Sequence, residues 1–279
     1  MINTTNSTPT STMASDSGLW IDARGADGAA VLLIAGLGDP AEAWELQLDE
    51  LAVTHRVAAF DNRGAGRSPL PGGELSVASM AADALEVMDV VGFETAHVIG
   101  FSGGSVIAQE LALGHPDRVD TLTLVGTWAK GDAMFHAMAD AWRWMAELAP
   151  SARAFYEAFF CWVYTPAAHA TGFVAALVEE ALAFPHQQST DAFLRQLDAF
   201  VAHDALDRLP TLAVPTLVVA GGLDMICPPP LGGIVADAIP NARFELLPDE
   251  AHQPFQESPE QFHALLRGFW DDVAAARTS

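Results

Sequence analysis

The 279-residue chain has few cysteines and no cluster of metal-binding side chains. Its two cysteines, Cys161 and Cys227, are far apart, and its nine histidines lack the short spacing of a metal site. Two isolated thiols do not make a disulfide framework, and scattered imidazoles do not make a cation site. We therefore expect reduced thiols, a cytoplasmic location and no metal ion.

Basic residues are scarce as well. The chain has 13 lysines and arginines against 36 acidic residues, and Lys130 is its single lysine, so the net charge is −23. A surface of this charge repels phosphate backbones and anionic lipids. The composition therefore argues against nucleic acid and membrane partners.

Long apolar runs are also absent. Although 51% of the residues are hydrophobic, no run reaches the roughly 18 residues that span a bilayer. Residues 1–17 are rich in serine and threonine and lack the basic and apolar regions of a secretory signal. We predict that residues 1–17 form a disordered tail, and the length of the rest suits one large domain.

What the sequence does contain is an alternation of strand and helix signals on both sides of an aromatic-rich segment. Apolar runs typical of buried strands, such as 30–34 and 119–125, alternate with helix-type segments over residues 18–127 and 210–279. This order predicts an α/β fold with a mostly parallel, doubly wound sheet. Residues 128–209 show no strand signal and predict a helical lid inserted into the sheet domain.

The most informative motif is Gly-x-Ser-x-Gly at residues 100–104. A strand-type run ends at Gly100 and a helix-type segment begins at Ser105, so Ser102 falls on a tight strand-to-helix turn. In such a turn the serine backbone is strained, and a side chain at Gly100 or Gly104 would clash with neighbouring backbone. This arrangement is typical of a nucleophile elbow, in which the first N–H groups of the helix are directed at an oxyanion.

A nucleophilic serine needs a histidine base and a carboxylate that orients the histidine. After an elbow of this type they follow in the order serine, acid, histidine, at the C-terminal ends of different strands. Asp224 follows the strand-type run 215–220, and His252 follows the run 244–247. These two residues are therefore the predicted acid and base.

Other residues compete for the two roles. The rival acids are Asp132, Asp204 and Asp249. Asp132 follows the strand after the elbow, whereas Asp249 would have to fold back to reach His252. Of the rival histidines, His97 begins the elbow strand, at the wrong end for catalysis, and His263 is predicted to be solvated inside the last helix.

With these residues the chain resembles the α/β-hydrolase superfamily over nearly its whole length after residue 18. The motifs that carry the resemblance are Gly36-Leu37-Gly38, Asp61 to Ser68, the elbow, Val214 to Asp224 and Ala251-His252. The pattern is nearest to the lidded, single-domain branch of carboxylesterases, enol-lactonases, cofactor-free perhydrolases and carbon–carbon hydrolases. The resemblance implies that Ser102 is the nucleophile, His252 the general base and Asp224 its partner. It also implies an oxyanion hole formed by the N–H groups of Leu37 and Gly103, and no cofactor.

Two positions depart from the family pattern. Ala35 stands where relatives often have the histidine of a His-Gly-x-Gly loop, which puts the shape of the pocket in question. Gly103 stands where many relatives have methionine or another larger side chain. A glycine there predicts extra room for a bulky acyl group, and Gly103→Met is then expected to narrow the range of acyl groups.

The expected function is hydrolysis of an ester or lactone of a hydrophobic small molecule, aromatic or polyketide-like, through an acyl-enzyme. Trp128, Phe159 and Trp162 are the predicted substrate-binding residues, because an aromatic lid should line an apolar pocket with some of its rings. The protein is expected to be a monomer or homodimer. The same triad also serves carbon–carbon hydrolases, thioesterases and perhydrolases, and the fold also serves ligand-binding receptors and cofactor-free decarboxylases or oxygenases.

Overall fold

The computed structural model describes residues 10–278. Its centre is an eight-stranded sheet in the order β1-β2-β4-β3-β5-β6-β7-β8. The strands are β1 (Thr10–Ala14), β2 (Trp20–Arg24), β3 (Ala30–Ile34), β4 (Arg56–Phe60), β5 (Ala96–Phe101), β6 (Val119–Val125), β7 (Thr216–Gly221) and β8 (Arg243–Leu247). Strand β2 pairs antiparallel with β1 and β4, and the other neighbouring pairs are parallel.

Helices connect the strands and cover both faces of the sheet. They are α1 (Glu45–Leu51), α2 (Val77–Val90), α3 (Gly103–Gly114), α4 (Ala133–Leu148), α5 (Ala152–Val163), α6 (Pro166–Ala170), α7 (Phe173–Ala183), α8 (Thr190–Val201), α9 (Pro229–Ala238), α10 (Pro254–Glu257) and α11 (Pro259–Thr278). Short 3-10 turns span Ala41–Trp44, Pro116–Arg118 and Leu209–Thr211. None of the helices within residues 10–278 is long and apolar enough to cross a membrane.

The two layers of helices explain why the central strands are apolar at every position. Successive side chains of a strand point to opposite faces. On β3, Leu32 and Ile34 join an apolar cluster with α2 and α3, whereas Val31 and Leu33 join a second cluster with α1 and α11. A sheet covered in this way needs no polar face, and the predicted mostly parallel, doubly wound α/β sheet is confirmed.

The N-terminal prediction needs correction. Residues 10–14 form β1, which pairs with β2 from Thr10 opposite Arg24 to Ala14 opposite Trp20. Ser17 donates to Glu86 on α2 through its N–H (3.0 Å) and its hydroxyl (2.8 Å). Without β1, the outer side of β2 would have unpaired backbone N–H and C=O groups. Because these groups can pair with any extended backbone, a segment rich in serine and threonine can form the edge strand. The remaining tail residues, 1–9, lie outside the described residues.

Five helices, α4 to α8, occupy the segment between β6 and β7, where the sequence predicts a lid. The two ends of this segment meet at an isolated antiparallel bridge between Lys130 and Asp204. The Lys130 ammonium also lies 2.5 Å from the Asp204 carboxylate. The segment is therefore inserted as one loop of helices that leaves and re-enters the sheet domain at one place.

Candidate active site

Ser102 occupies the turn between β5 and α3 in a strained conformation. Its φ is 51° and its ψ is −122°, a region that side-chain-bearing residues rarely adopt. Backbone bonds hold it there: Ser102 N–H donates to Val125 O on β6 at 2.9 Å, and Ser105 N–H donates to Ser102 O at 2.8 Å. The Ser102 side chain caps no N–H of α3, so its hydroxyl is not used to stabilise the helix.

The two flanking glycines are required by close backbone contacts. A Cβ added at Gly104 would lie 2.1 Å from Ile34 O, and one added at Gly100 would lie 2.3 Å from Gly104 O. Real Cβ atoms do not approach backbone oxygens this closely, so both positions exclude a side chain. The sequence prediction for these two glycines is confirmed.

Asp224 and His252 form a buried hydrogen-bonded pair. His252 Nδ1 lies 2.7 Å from Asp224 Oδ2, and the two side chains are 3% and 0% exposed. The other carboxylate oxygen, Oδ1, accepts hydrogen bonds from the N–H groups of Ile226 and Cys227, both at 2.8 Å. With Asp224 ionised, Nδ1 is the donor to Oδ2, which leaves Nε2 of a neutral imidazole as the acceptor.

Gly126, a residue that the sequence analysis did not single out, makes room for this pair. It follows β6 with φ of +56°, and a Cβ there would lie 2.8 Å from His252 Cε1 and 3.5 Å from Asp224 Oδ2. The one feature of the sequence that could have indicated a special role for Gly126 is its position directly after the strand-type run 119–125. Its role depends on the approach of an imidazole from the far end of the chain, which the local sequence does not reveal.

The histidine ring lies close to the elbow. It packs at 4.7 Å against the ring of Phe101, the residue before Ser102. It also lies against Gly126, and the residue before Gly126, Val125, accepts the hydrogen bond from Ser102 N–H. In the described chain Nε2 of His252 makes no hydrogen bond. The hydrogen bond between a catalytic base and its nucleophile is often long until a substrate binds, and it shortens in the complex.

The rival residues have other roles. Asp132 accepts a hydrogen bond from Phe135 N–H at 2.8 Å and caps α4, and Asp204 pairs with Lys130. His97 Nδ1 lies 2.8 Å from Thr121 Oγ1. The prediction of a solvated His263 is wrong, because His263 is only 6% exposed.

The proposed oxyanion residues lie on two loops that face the same edge. Gly103 is the first residue of α3, and the first N–H groups of a helix have no acceptor in the preceding turn. Leu37 lies in the loop after β3, whose position is fixed by bonds from Asn62 Nδ2 to Ala35 O (2.9 Å) and from Gly38 N–H to Gln196 Oε1 (3.2 Å). The first of these bonds anchors the loop at Ala35, the position that departs from the His-Gly-x-Gly pattern.

A cavity of about 660 Å³ lies between this loop and helices α5, α7 and α8. Its aromatic lining consists of Phe155, Tyr156, Phe159, Phe160, Tyr164, Phe173, Phe184 and Phe193. Leu37 and Gln253, the neighbour of His252, belong to its lining, whereas Ser102 and His252 do not.

The three predicted substrate-binding residues are placed differently by the structure. Phe159 lines the cavity. Trp128 is 2% exposed and packs at 4.7 Å against Phe135 inside the core. Trp162 packs against the same core without reaching the cavity lining. Of the three predicted substrate-binding residues, the structure therefore places only Phe159 in the wall of this cavity.

The expected extra room beside Gly103 is also absent. A Cβ at Gly103 would lie 2.3 Å from Cε2 and 2.5 Å from Cζ of Phe200, a buried ring of α8. The space that a side chain at position 103 would need is therefore filled by Phe200. The glycine serves the packing of α8 on the elbow and does not widen the acyl site.

This correction leads to a stability prediction. Gly103→Met forces the Phe200 ring and α8 to shift, and overpacking of this kind costs about 1–3 kcal/mol or more. We expect urea unfolding to show that loss, and we expect Phe200→Leu to recover part of it when combined with Gly103→Met. If Gly103→Met leaves the free energy of unfolding unchanged and narrows the acyl range, the space beside Gly103 is open.

Asp39 is a second carboxylate near His252 that the sequence analysis did not identify. It is half-buried and lines the cavity, and its Oδ2 lies 3.2 Å from the place where a Cβ of Gly36 would be, beside the Phe101 ring. Burial raises the pKa of the Asp39 carboxyl to about 7, although the charge of His252 and the N–H of Gly36 act to lower it. The charged form is therefore destabilised in the empty cavity.

Removing this charge should stabilise the fold. A carboxyl with a raised folded-state pKa contributes its stability at low pH and loses it as the pH rises through that pKa. Asp39→Asn should therefore increase the free energy of unfolding by about 1–3 kcal/mol at pH 8, with the gain growing between about pH 4 and pH 7. Urea unfolding of both proteins at pH 4 and pH 8 measures it, and an equal difference at the two pH values would refute the assigned charge effect.

Comparison with known proteins gives a consistent picture. A family model described as alpha/beta hydrolase fold matches residues 29–259. A protein named "Putative carbamate hydrolase RutD" from Azorhizobium caulinodans is 34% identical over 258 residues, which are 92% of this chain and 97% of that protein.

Two solved structures illustrate the likeness in three dimensions. A hydrolase from Pseudomonas aeruginosa PA01 superposes with a TM-score of 0.82 at 27% identity and covers 96% of this chain and 99% of its own. The enol-lactonase from Burkholderia xenovorans LB400 also has a TM-score of 0.82, at 24% identity, and covers 94% and 100%. At the latter identity the likeness concerns the fold.

Proposed function

Because the chain belongs to the alpha/beta hydrolase fold family, we propose that it is a serine hydrolase that cleaves an ester or lactone of a hydrophobic small molecule through an acyl-enzyme. The observation that carries the proposal is the strained Ser102 beside the buried Asp224–His252 pair. A serine whose hydroxyl is free of structural bonds, next to a histidine with its tautomer fixed by a carboxylate, is the arrangement that activates serine as a nucleophile.

In the proposed reaction Ser102 Oγ attacks the carbonyl carbon while His252 Nε2 takes the hydroxyl proton. The N–H groups of Leu37 and Gly103 stabilise the oxyanion of the tetrahedral intermediate. The bond from the carbonyl carbon to the leaving oxygen then breaks, and the leaving oxygen takes the proton from His252. Water, deprotonated by the same Nε2, attacks the acyl carbon. The bond from that carbon to Ser102 Oγ then breaks, and Oγ takes the proton back from His252 Nε2 as the acid leaves. Asp224 stabilises the imidazolium that forms twice in this cycle.

The helical insertion supports a hydrophobic substrate. Helices α5, α7 and α8 contribute six aromatic side chains to the cavity wall, and burial of apolar surface there contributes roughly 25 cal/mol per Å² to binding. We therefore propose that α4 to α8 act as the lid of the site. The substrate would reach Ser102 from the end of the cavity lined by Leu37 and Gln253.

A carbamate is the second candidate substrate. The support is the likeness to the protein named for carbamate hydrolysis, which extends over 92% of this chain. A carbamate carbonyl can follow the same steps, because its oxygen can use the same N–H groups and Ser102 would become carbamoylated in place of acylated.

Hydrolysis of p-nitrophenyl esters of rising acyl length tests the proposal, with p-nitrophenyl N-alkyl carbamates of matched length alongside. We expect ester turnover with an optimum at medium acyl length, and faster turnover of esters than of carbamates. Faster turnover of the carbamates would favour the second candidate. If wild type turns over neither series, the serine hydrolase proposal fails, and carbon–carbon substrates or a binding role become the better explanation.

A further inference from the structure

Carboxylates outnumber basic side chains in the wall of the cavity, where His186 is the one imidazole among the described lining residues. Among the described lining residues there are four carboxylates and neither lysine nor arginine. Two of the carboxylates are neutralised from outside the lining, since Glu42 pairs with Arg67, and Glu45 pairs with Arg24 at 2.7 Å.

The other two carboxylates have no such partner in the described chain. Asp39 lies at the inner end near His252, and Glu180 is exposed on α7 at the rim of the cavity. An anionic ligand would be repelled along this path, whereas a cation would be attracted by both groups.

The hydrogen-bonding groups of the cavity wall are also unbalanced. Three of the four glutamines in the lining use their amide N–H₂ groups within the protein: Gln187 donates to Leu182 O (3.0 Å), Gln188 to Gln196 Oε1 (3.0 Å) and Gln256 to Ala43 O (3.0 Å). Gln188 Oε1, in contrast, is buried in the described structure without a hydrogen-bond partner.

This oxygen is fixed in place beside the oxyanion loop. The Nε2 atom of Gln188 also donates to Gly64 O at 3.1 Å, which sets the orientation of the amide. A Cβ on Gly38 would lie 3.0 Å from Oε1. Buried acceptors need donors, so Gln188 Oε1 favours a ligand that carries N–H groups. Asp39 adds a carboxylate that has no lysine or arginine partner in the described chain.

The aromatic wall suits the same kind of ligand. Ammonium groups are attracted to the faces of phenylalanine and tyrosine rings, and eight such rings line the cavity. A bound cation would also favour the ionised form of Asp39, which burial disfavours in the empty cavity.

We infer that the cavity selects hydrophobic substrates that carry a protonated amine, and that Asp39 is the residue that binds the ammonium group. This inference deepens the proposed function and rests on it for the reaction itself. Asp39 thereby acts as a specificity-determining residue, separate from the proton transfers of Ser102 and His252.

Two pairs of esters that differ only in an ammonium group test the inference. One pair is 2-(dimethylamino)ethyl butanoate with 3-methylbutyl butanoate, and the other is ethyl 4-(dimethylamino)butanoate with ethyl 5-methylhexanoate. We expect wild type to prefer the ammonium member of at least one pair by tenfold or more in kcat/KM, mainly through KM. In Asp39→Asn that preference should fall to threefold or less, and in the surface control Asp237→Asn it should persist.

Within a pair we compare kcat/KM of the ammonium ester with kcat/KM of the neutral ester. An effect of Asp39→Asn on His252 changes both values by the same factor, because both esters react by the same steps, and it therefore cancels in their ratio. Wild type without a preference in either pair, or a preference that survives in Asp39→Asn, would overturn the inference. Neutral esters would still be hydrolysed in that case, so the proposed function would stand.

Calorimetry separates binding from turnover. We expect N,N-dimethyl-2-phenylethylammonium to bind wild type at least tenfold more tightly than Asp39→Asn, and neutral 2-phenylethanol to bind both equally. If no ester is hydrolysed but this difference appears, the proposed reaction fails while the selection of a cation stands. Equal binding of the ammonium compound to both proteins would overturn the inference.

Discussion

Ser102→Ala is expected to lower kcat/KM for ester hydrolysis by about 10⁴-fold or more, with little change in stability. The substitution removes the only atom that forms the proposed covalent bond. The Ser102 hydroxyl caps no N–H of α3, and alanine meets the same backbone strain at φ of 51° as serine does. The free energy of unfolding should therefore stay within about 1 kcal/mol of wild type.

Ser105→Ala is the matched control, since it removes a hydroxyl one helical turn away. Ser105 Oγ donates to Ser102 O at 2.6 Å and lies 2.9 Å from Thr127 Oγ1. We expect it to reduce turnover tenfold at most, because it supports only the backbone of the elbow. A Ser102→Ala protein that keeps more than 1% of wild-type activity, with the fold intact, would show that Ser102 is not the nucleophile.

Asp224→Asn is expected to lower kcat by about 10³–10⁴-fold. Oδ1 of Asp224 accepts two N–H bonds, from Ile226 and Cys227. An asparagine must place its oxygen in that position, which turns its NH₂ group toward His252 Nδ1. The imidazole then has to accept at Nδ1 and carry its proton on Nε2, where it cannot take the proton of Ser102.

The control for Asp224→Asn is Asp249→Asn, which removes an exposed carboxylate three residues before His252. Its activity should stay within about twofold of wild type. Comparable losses in the two variants would mean that the electrostatic environment of His252, and not its tautomer, determines the effect of Asp224.

The local sequence was sufficient to locate the elbow and the Asp224–His252 pair. Gly100 and Gly104 indicate a tight turn, because neighbouring backbone atoms leave no room for a Cβ at either position. Asp224 and His252 each follow an apolar strand, and the strands of a parallel sheet end at the same edge. These features depend on the backbone and on strand order, both of which leave a strong pattern in the sequence.

The details of the cavity could not be predicted in the same way. Phe200 fills the space beside Gly103 because of how α8 packs on α3, and Asp39 approaches His252 because its loop folds back over Gly36. Contacts of this kind join residues far apart in the chain and have no periodicity. The position of Trp128 depends on contacts of the same kind, since it follows β6 outside any helix and packs against Phe135 in the core.

The formation of an acyl-enzyme at Ser102 is the central claim, and it can be measured directly. Wild type is mixed with a p-nitrophenyl ester and quenched in acid during turnover, and the intact mass and the peptide containing Ser102 are then determined by mass spectrometry. The account predicts a mass increase equal to one acyl group on Ser102, absent from Ser102→Ala. Full turnover with unmodified Ser102, or an acyl group on another residue that Ser102→Ala retains, would contradict it.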